Sequence, residues 1–200
     1  MSTRRIRDKD KTVQDILAAA RRLFSERGLY GTSIRDIEDA SGVSKGLILH
    51  HFGTKEDLYA AVQDQLAKEY IDMMAAQRQK SSGDFQQMVA SSIRNSFMHT
   101  KGNRDYHRIS LWSYLEGKER NTELEQRFRM ALITAMRIGQ QSGLVRDDID
   151  AFLMPFIIKG AIDYWIQKAN LIHELTADEQ NQGGDLDDRL IDALTRLFLK

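Results

Sequence analysis

The stretch that decides the fold is residues 33–58, SIRDIEDASGVSKGLILHHFGTKEDL. Ser33 and Asp36, three residues apart, predict a capping box, in which each side chain accepts the other residue's backbone N–H at a helix start. The helix that follows has room for about two turns before Gly42. Glycine commonly ends helices because it adopts the left-handed conformation easily. The stretch is therefore predicted to begin with a short helix and a tight turn.

A second short helix is predicted after the turn, over residues 45–51, with Ser44 as its N-cap. Ile48 is expected on the inner face of this helix, with Phe52 behind it. Two short helices joined by a glycine-containing turn predict a helix-turn-helix motif at about residues 33–52.

Longer amphipathic helices are predicted on both sides of this motif. Upstream, apolar residues at spacings of three and four predict a helix over about residues 12–27, capped by Thr12, and leave residues 1–11 as a flexible basic tail. Downstream, residues 56–80 keep one apolar face and predict a connecting helix. At 1.5 Å per residue this helix is nearly 40 Å long, which links a head domain at residues 12–55 to the rest of the chain.

The remaining residues, 81–200, predict a second domain of five further helices. Pro155 lies inside the most apolar of them, which predicts a kink near Ala151 or a helix start later than Asp148. A polar joint, residues 174–184, precedes the last helix. No stretch alternates apolar and polar residues as a half-buried strand does, so the predicted fold class is all-α.

Composition excludes several kinds of protein. The 200 residues contain no cysteine, which excludes disulfides, thiolate catalysis and Cys-ligated zinc. No apolar run approaches the roughly 18 residues of a membrane span, and no secretory signal is present, so we expect a cytoplasmic protein. No catalytic motif, metal site or cofactor loop is found. Residues 1–55 contain eleven Lys and Arg against seven Asp and Glu, which favours a polyanionic partner for this region.

The motif also carries a family resemblance. GTSIRDIEDASGVSKGLILHHFGTKEDL, residues 31–58, resembles the DNA-binding domain of the TetR family of bacterial transcriptional regulators, whose usual run after the turn is GVSKGTLYHHFGSKEDL. ILAAARRLFSERG, residues 16–28, is similar to the first helix of that family, and the resemblance covers residues 12–66.

This resemblance implies a homodimer of nine-helix subunits. Its three-helix N-terminal domain would bind a palindromic double-stranded DNA operator, and the last two helices of each subunit would form the dimer interface. A small effector in the C-terminal domain would shift the fourth helix and release the repressor from DNA. An activator of the same fold, and a helical ligand carrier or enzyme with a vestigial motif, are the alternatives.

Nine residues are candidates for DNA contact: Ser33, Arg35, Lys45, Gly46, Leu47, Leu49, His50, His51 and Lys55. A cation in the first helical turn is unfavourable for the isolated helix, which favours a DNA contact for Lys45 over a solvated lysine. Gly46 either allows close approach to a phosphate or is a packing glycine. Arg35 aligns with a DNA-contacting position of the family, or forms a salt bridge with Asp36 or Asp39. Ser33 caps a helix whose N-terminus also suits a phosphate.

Two candidates depart from the family pattern. Leu47 replaces a usual Thr, Ser or Ala and offers an apolar contact to a thymine methyl. Leu49 replaces a usual Tyr and so lacks a phosphate donor. Adjacent histidines point in different directions on a helix, so His50 and His51 are not expected to bind a metal together. His50 is expected to face the DNA backbone, and His51 is expected to pack at the domain edge. Lys55 matches a family position that often meets phosphate.

The C-terminal domain offers two weaker sets of candidates. Met and aromatic side chains suit an adaptable apolar pocket, although each is also a plausible core residue. The pocket candidates are Met73, Phe97, Met98, Tyr106, His107, Trp112, Phe128, Met136, Tyr164 and Trp165, with His99 and Arg108 as further polar anchors. The dimer candidates are Phe156, Leu186, Leu190, Leu194, Leu197 and Phe198.

Overall fold

The computed structural model describes the backbone of residues 2–80, 84–176 and 185–200, and the side chains in these ranges except those of residues 2–9 and 80. The helices are α1 (Ser2–Arg27), α2 (Ile34–Ser41), α3 (Lys45–Phe52), α4 (Lys55–Lys80), α5 (Phe85–Gly102), α6 (Arg104–Leu115), α7 (Glu123–Gln141), α8 (Met154–Gln167), α9 (Ala169–Thr176) and α10 (Leu186–Phe198). The all-α fold class is confirmed. None of the helices in these ranges is both long enough and apolar enough to cross a membrane.

The first helix begins earlier than predicted. α1 starts at Ser2 rather than near Thr12, so the backbone expected to be a flexible tail is helical from residue 2 onward. The reason is that residues 2–11 contain neither glycine nor proline, so no local feature ends the helix. The side chain of Asp15, the expected partner of Thr12 in a cap, instead accepts a hydrogen bond from Lys11 at 2.9 Å. The side chains of residues 2–9 lie outside the described part.

The apolar C-terminal segment forms two helices, where the sequence predicted one. Pro155 occupies the first turn of α8, which begins at Met154, so the predicted later helix start is confirmed. Proline is tolerated there because its missing N–H has no intrahelical partner in any case. Lys168 ends α8, and α9 continues to Thr176, which brings the described helices to ten instead of nine. Residues 177–184 of the predicted polar joint lie outside the described residues.

The chain divides into two compact units, and their boundary differs from the predicted one. The first unit is Met1–Lys68 with Asn103–Thr122, and the second is Glu69–Gly102 with Glu123–Lys200. The prediction that all of residues 81–200 form one domain is therefore wrong, because α6 belongs to the first unit. α4 contributes to both units.

The core of the first unit is built from α1, α2, α3, α4 and α6. Ile37 and Ile48 are fully buried, which confirms the predicted inner face of the second short helix, and Phe52 packs against this core. The Phe24 and Tyr59 rings meet edge to face, 4.9 Å apart. Apolar burial of this kind is the main favourable contribution to folding, about 25 cal/mol per Å².

The second unit has a separate core that includes the C-terminus. Phe97, Ile162 and Phe198 are completely buried there. The backbone after α10 pairs with the loop after α7: the Arg146 N–H donates to Phe198 O at 2.9 Å, and the Lys200 N–H donates to Leu144 O at 3.1 Å. These bonds form the single antiparallel bridge seen in the described residues.

Candidate nucleic-acid interface

The start of α2 is the predicted capping box. The Ser33 hydroxyl accepts the Asp36 N–H at 3.1 Å, and the Asp36 carboxylate accepts the Ser33 N–H at 2.7 Å. Hydrogen bonds from Ser33 hold the pKa of Asp36 below its ordinary value. The Ser33 N–H is already bonded within the capping box. A phosphate at this end of α2 would therefore have to accept hydrogen bonds from the N–H groups that follow Ser33.

Glu38 makes hydrogen bonds at both ends of the turn between α2 and α3. Gly42 has φ +70°, and its N–H donates to the Glu38 carbonyl at 2.9 Å. At the other end of the turn, the Glu38 carboxylate accepts the Lys45 N–H at 2.9 Å. Ser44 occupies the N-cap position of α3, but its side chain makes no capping hydrogen bond, so the predicted Ser44 cap is wrong. A residue seven positions upstream makes the cap because the folded turn brings it there.

One face of α3 points away from the core. Lys45, Gly46, Leu47 and His50 are exposed, whereas Ile48 is completely buried. A Cβ added to Gly46 would meet nothing within 4 Å, so the interpretation of Gly46 as a packing glycine is wrong for this chain. The exposed face therefore lies open for a partner.

The structure also bears on the alternative for Arg35. Its side chain is exposed, and no ion pair of Arg35 occurs among the described residues. The Asp36 carboxylate is occupied by Ser33 and lies 4.0 Å from Arg27, because the capping box turns it toward the start of its own helix. The predicted salt bridge between Arg35 and Asp36 is thus not formed.

Lys55 has a structural role that was not predicted from the sequence. Its ammonium group donates hydrogen bonds to the carbonyls of Leu29 and Thr32, each at 2.8 Å. These carbonyls belong to the connection between α1 and α2, so Lys55 fastens that connection to the first residue of α4. The predicted phosphate contact of Lys55 stays a prediction.

The two adjacent histidines differ in exposure. His50 is exposed and His51 is half-buried, and their rings are 5.6 Å apart in an edge-to-face arrangement. The ring of His51 lies 6.4 Å from that of Phe52, at the margin of the first core. Across the described ranges, no group of three or more His, Asp or Glu side chains could hold a metal ion.

Part of the chain matches a known protein family. The sequence profile of the bacterial regulatory proteins of the tetR family matches residues 16–62. The repressor AcnR of Corynebacterium glutamicum is 48% identical over 62 residues, which are 31% of each chain, so the match spans about a third of that relative. The repressor KstR2 of Rhodococcus jostii is 27% identical over 154 residues, 70% of each chain. The match to the TetR-family profile is thus confined to residues 16–62, which include the helix-turn-helix.

The fold of the described residues also resembles a solved structure. AibR in complex with isovaleryl coenzyme A and operator DNA aligns with a TM-score of 0.69 over 93% of this chain and 97% of that chain. At 18% sequence identity, this likeness is one of fold alone. It extends beyond the residues matched by the TetR-family profile.

In this chain, α6 is hydrogen-bonded to the end of α1. Arg108 donates to the carbonyls of Ser25 at 2.6 Å and Glu26 at 3.2 Å. Both carbonyls lie in the last turn of α1, where carbonyl groups have no hydrogen-bond partner within the helix. The Glu116 carboxylate accepts the N–H groups of Leu29 and Tyr30 at 3.0 and 3.1 Å. These contacts are the physical reason why α6 belongs to the first unit.

The predicted pocket residues do not share one unit of the chain. Tyr106, His107 and Trp112 lie on α6 in the first unit, where the Trp112 indole N–H donates to Ser25 O at 3.3 Å. Trp112 thus contacts the end of α1, and its role in a ligand pocket stays a prediction. The remaining candidates belong to the second unit: Met73, Phe97, Met98, Phe128, Met136, Tyr164 and Trp165.

Within the second unit these candidates differ in environment. Phe97 and Met136 are buried, whereas Met98 and Tyr164 are 56% and 61% exposed and so face outward. The Trp165 indole N–H donates to Asp187 at 2.9 Å, which ties α8 to α10. Their shared role in lining a ligand pocket stays a prediction.

The second unit contains an interior polar cluster that was not predicted from the sequence. The Tyr70 hydroxyl donates to Ser96 Oγ at 3.0 Å, and the Tyr70 ring lies 5.2 Å from the His99 ring and 5.8 Å from the Phe128 ring. Burial raises the pKa of Tyr70, and the nearby negative charge of Asp163 raises it further. The signal in the sequence was a tyrosine on the apolar face of α4, which also fits an ordinary core residue.

The dimer candidates are likewise divided. Phe198 is fully buried and Leu194 is 5% exposed, both in the core of their own subunit. Assigning them to the dimer surface is therefore wrong, because α10 turns this side toward its own subunit. Leu186 and Leu190 are half-buried, while Phe156 and Leu197 are 49% and 40% exposed.

Proposed function

We propose that this chain is a ligand-responsive transcriptional repressor. It would bind a palindromic double-stranded DNA operator as a homodimer and leave it when a small, largely apolar molecule binds. The observation that carries the proposal is the outward face of α3, where Lys45, Gly46, Leu47 and His50 are exposed opposite the buried Ile48. The major groove of DNA, about 12 Å wide, accommodates such a helix. A repressor of this kind works in the cytoplasm.

Each exposed side chain has a chemical role in this proposal. Lys45 and Arg35 supply positive charge for phosphate or guanine, and Leu47 meets a thymine methyl. The open space around Gly46 allows a phosphate to approach the backbone. Leu49 is half-buried and contributes shape rather than a hydrogen bond.

The proposed dimer surface is the outward face of α8 and its neighbours. Leu153, Phe156, Ile157 and Tyr164 recur at helical spacing and are 48%, 49%, 40% and 61% exposed. Two copies of this face, related by a two-fold axis, would bury them. Binding to a palindrome would require the two copies of α3 to lie about 34–36 Å apart, one turn of DNA.

The effector is proposed to bind the second unit. The AibR complex, whose fold this chain resembles, contains isovaleryl coenzyme A and operator DNA. An acyl thioester is thus the first class of effector to test. Strong release requires the effector to prefer the non-binding state by several kcal/mol.

The alternatives differ in a measurable way. An activator of the same fold would bind the same operator, but deleting it would lower the expression of the adjacent gene instead of raising it. A ligand carrier or enzyme with a vestigial motif would bind its small molecule without a salt-dependent affinity for any duplex. The exposed α3 face favours the DNA-binding alternatives over this last one.

The proposal is tested by selecting genomic fragments with the wild-type chain and two variants. The wild type should recover a palindrome, and Lys45→Ala should weaken binding by about 1–3 kcal/mol or reduce the salt slope by about 1. Lys168→Ala is the matched control, because Lys168 is an exposed lysine of the second unit. Isovaleryl coenzyme A is then added to the complex, and we expect it to release the DNA. Absence of any enriched sequence with the wild type would overturn the proposal.

A further inference from the structure

Glu38 holds both ends of the turn that separates the two short helices. Its main-chain carbonyl accepts the Gly42 N–H at 2.9 Å, and its side-chain carboxylate accepts the Lys45 N–H, also at 2.9 Å. The first is the last i→i−4 bond of α2, and the second caps the first residue of α3. A single residue therefore connects the last turn of one helix to the first residue of the next.

The second bond replaces a local cap. The N-cap residue of α3 is Ser44, with φ −59° and ψ +145°, and its side chain makes no hydrogen bond to the helix. The first N–H groups of a helix have no intrahelical acceptor, so an external oxygen stabilises that end. Here the oxygen comes from α2, so the cap fixes the position of α3 relative to α2 as well as closing the helix.

We infer that Glu38 is a positioning residue for the DNA-contacting helix, holding the backbone of Lys45 so that the lysine side chain starts from a fixed point. This inference rests on the proposed function, in which Lys45 contacts DNA. Glu38 itself would touch no base, since its carboxylate is engaged by the protein backbone.

Two effects of removing Glu38 have opposite signs, which makes the inference testable. Removing a carboxylate near a DNA-binding surface reduces repulsion of phosphates and should strengthen binding. Removing a helix cap lets the first turn fray, so a smaller fraction of the protein is ready to bind and the affinity falls. Asp39→Ala is the matched control for charge, because Asp39 is the neighbouring exposed carboxylate on α2.

The experiment measures binding of Glu38→Ala, Glu38→Gln and Asp39→Ala to the duplex recovered with the wild type, over a salt series and well below every melting temperature. We expect Glu38→Ala to bind about fivefold more weakly. Glu38→Gln keeps the acceptor oxygen and should bind within twofold of the wild type, whereas Asp39→Ala should bind equally or more tightly. Equal affinities for Glu38→Ala and Asp39→Ala would overturn the inference.

A second measurement separates this inference from the proposed function. Amide hydrogen exchange over residues 43–50, without DNA, should be about fivefold faster in Glu38→Ala and restored in Glu38→Gln. A wild type that binds no duplex would overturn the proposed function and the DNA-positioning role that rests on it, while the exchange data would still show whether the cap exists. Unchanged exchange in Glu38→Ala would overturn the cap itself.

Discussion

Gly28 lies directly against Trp112: a Cβ added to Gly28 would stand 2.9 Å from two carbons of the indole. The same Cβ would lie 2.5 Å from a carboxylate oxygen of Glu116. Gly28 also has φ +71°, a conformation that residues with a side chain rarely adopt. The end of α1 thus needs glycine for two separate reasons.

Substituting Gly28 should destabilise the first unit strongly. We expect Gly28→Ala to lower the free energy of unfolding by about 2–4 kcal/mol, because backbone strain adds to the clash. Gly42→Ala is the matched control: φ is +70° but no atom lies within 4 Å, so only about 1 kcal/mol should be lost. Urea unfolding followed by circular dichroism measures both. Equal losses would mean that the contact with Trp112 is unimportant.

The capping box should make the free energy of unfolding depend on pH in the acid range. The pKa of Asp36 is lowered in the folded state by its bonds to Ser33, so the stabilisation is present above the ordinary value of 3.8 and is lost as the pH falls below it. Ser33→Ala lets the pKa of Asp36 rise toward that value and should make the decline shallower. Unfolding free energies at descending pH test this. Ser44→Ala, which removes no capping bond, should follow the wild type, and a Ser33→Ala curve parallel to both would contradict the assignment.

Lys55 should contribute to stability in the absence of DNA. Lys55→Met removes two charge-assisted hydrogen bonds to Leu29 and Thr32, and should cost about 1–3 kcal/mol. Lys45→Ala should change the free energy of unfolding by less than about 0.5 kcal/mol, because its side chain is exposed. Denaturant unfolding of the isolated protein provides the comparison. If Lys55→Met is as stable as the wild type, the two hydrogen bonds do not stabilise the fold, and only the predicted DNA contact of Lys55 is left.

The outward face of α8 and the inward face of α10 should respond differently to charge. Phe156→Glu should give folded monomers, because the side chain is 49% exposed within the subunit. Phe198→Glu should instead unfold the second unit, because Phe198 is completely buried and a charge there is strongly unfavourable. Sedimentation reports the mass and circular dichroism reports the fold. Intact dimers of Phe156→Glu would exclude this face of α8 as the interface.

The local features of the helix-turn-helix were predictable because their partners are close in sequence. Ser33 and Asp36 are three residues apart, as are Thr54 and Asp57, whose N–H and side-chain bonds form the same kind of cap. Such bonds depend on one turn of backbone and on no other element. Gly42 ends α2 for a similarly local reason.

The errors arose where distant contacts decide. Leu194 and Phe198 lie on an apolar stripe that fits equally well against a partner or against its own subunit, and hydrophobicity does not distinguish the two. Trp112 was assigned to a ligand pocket because aromatic composition carries no direction. Its indole N–H donates to the Ser25 carbonyl, 87 residues earlier in the chain, a partner that the sequence did not predict.

The order and approximate bounds of most helices, and the exposed side of α3, follow from periodicity and capping in the amino-acid sequence alone. The bond from Glu38 to Lys45, the bonds from Lys55 to the carbonyls near α2, and the membership of α6 in the first unit were decided only by tertiary structure. The physical reason is range. A helix is specified by interactions over three or four residues, whereas the partner of a long polar side chain depends on which elements pack together.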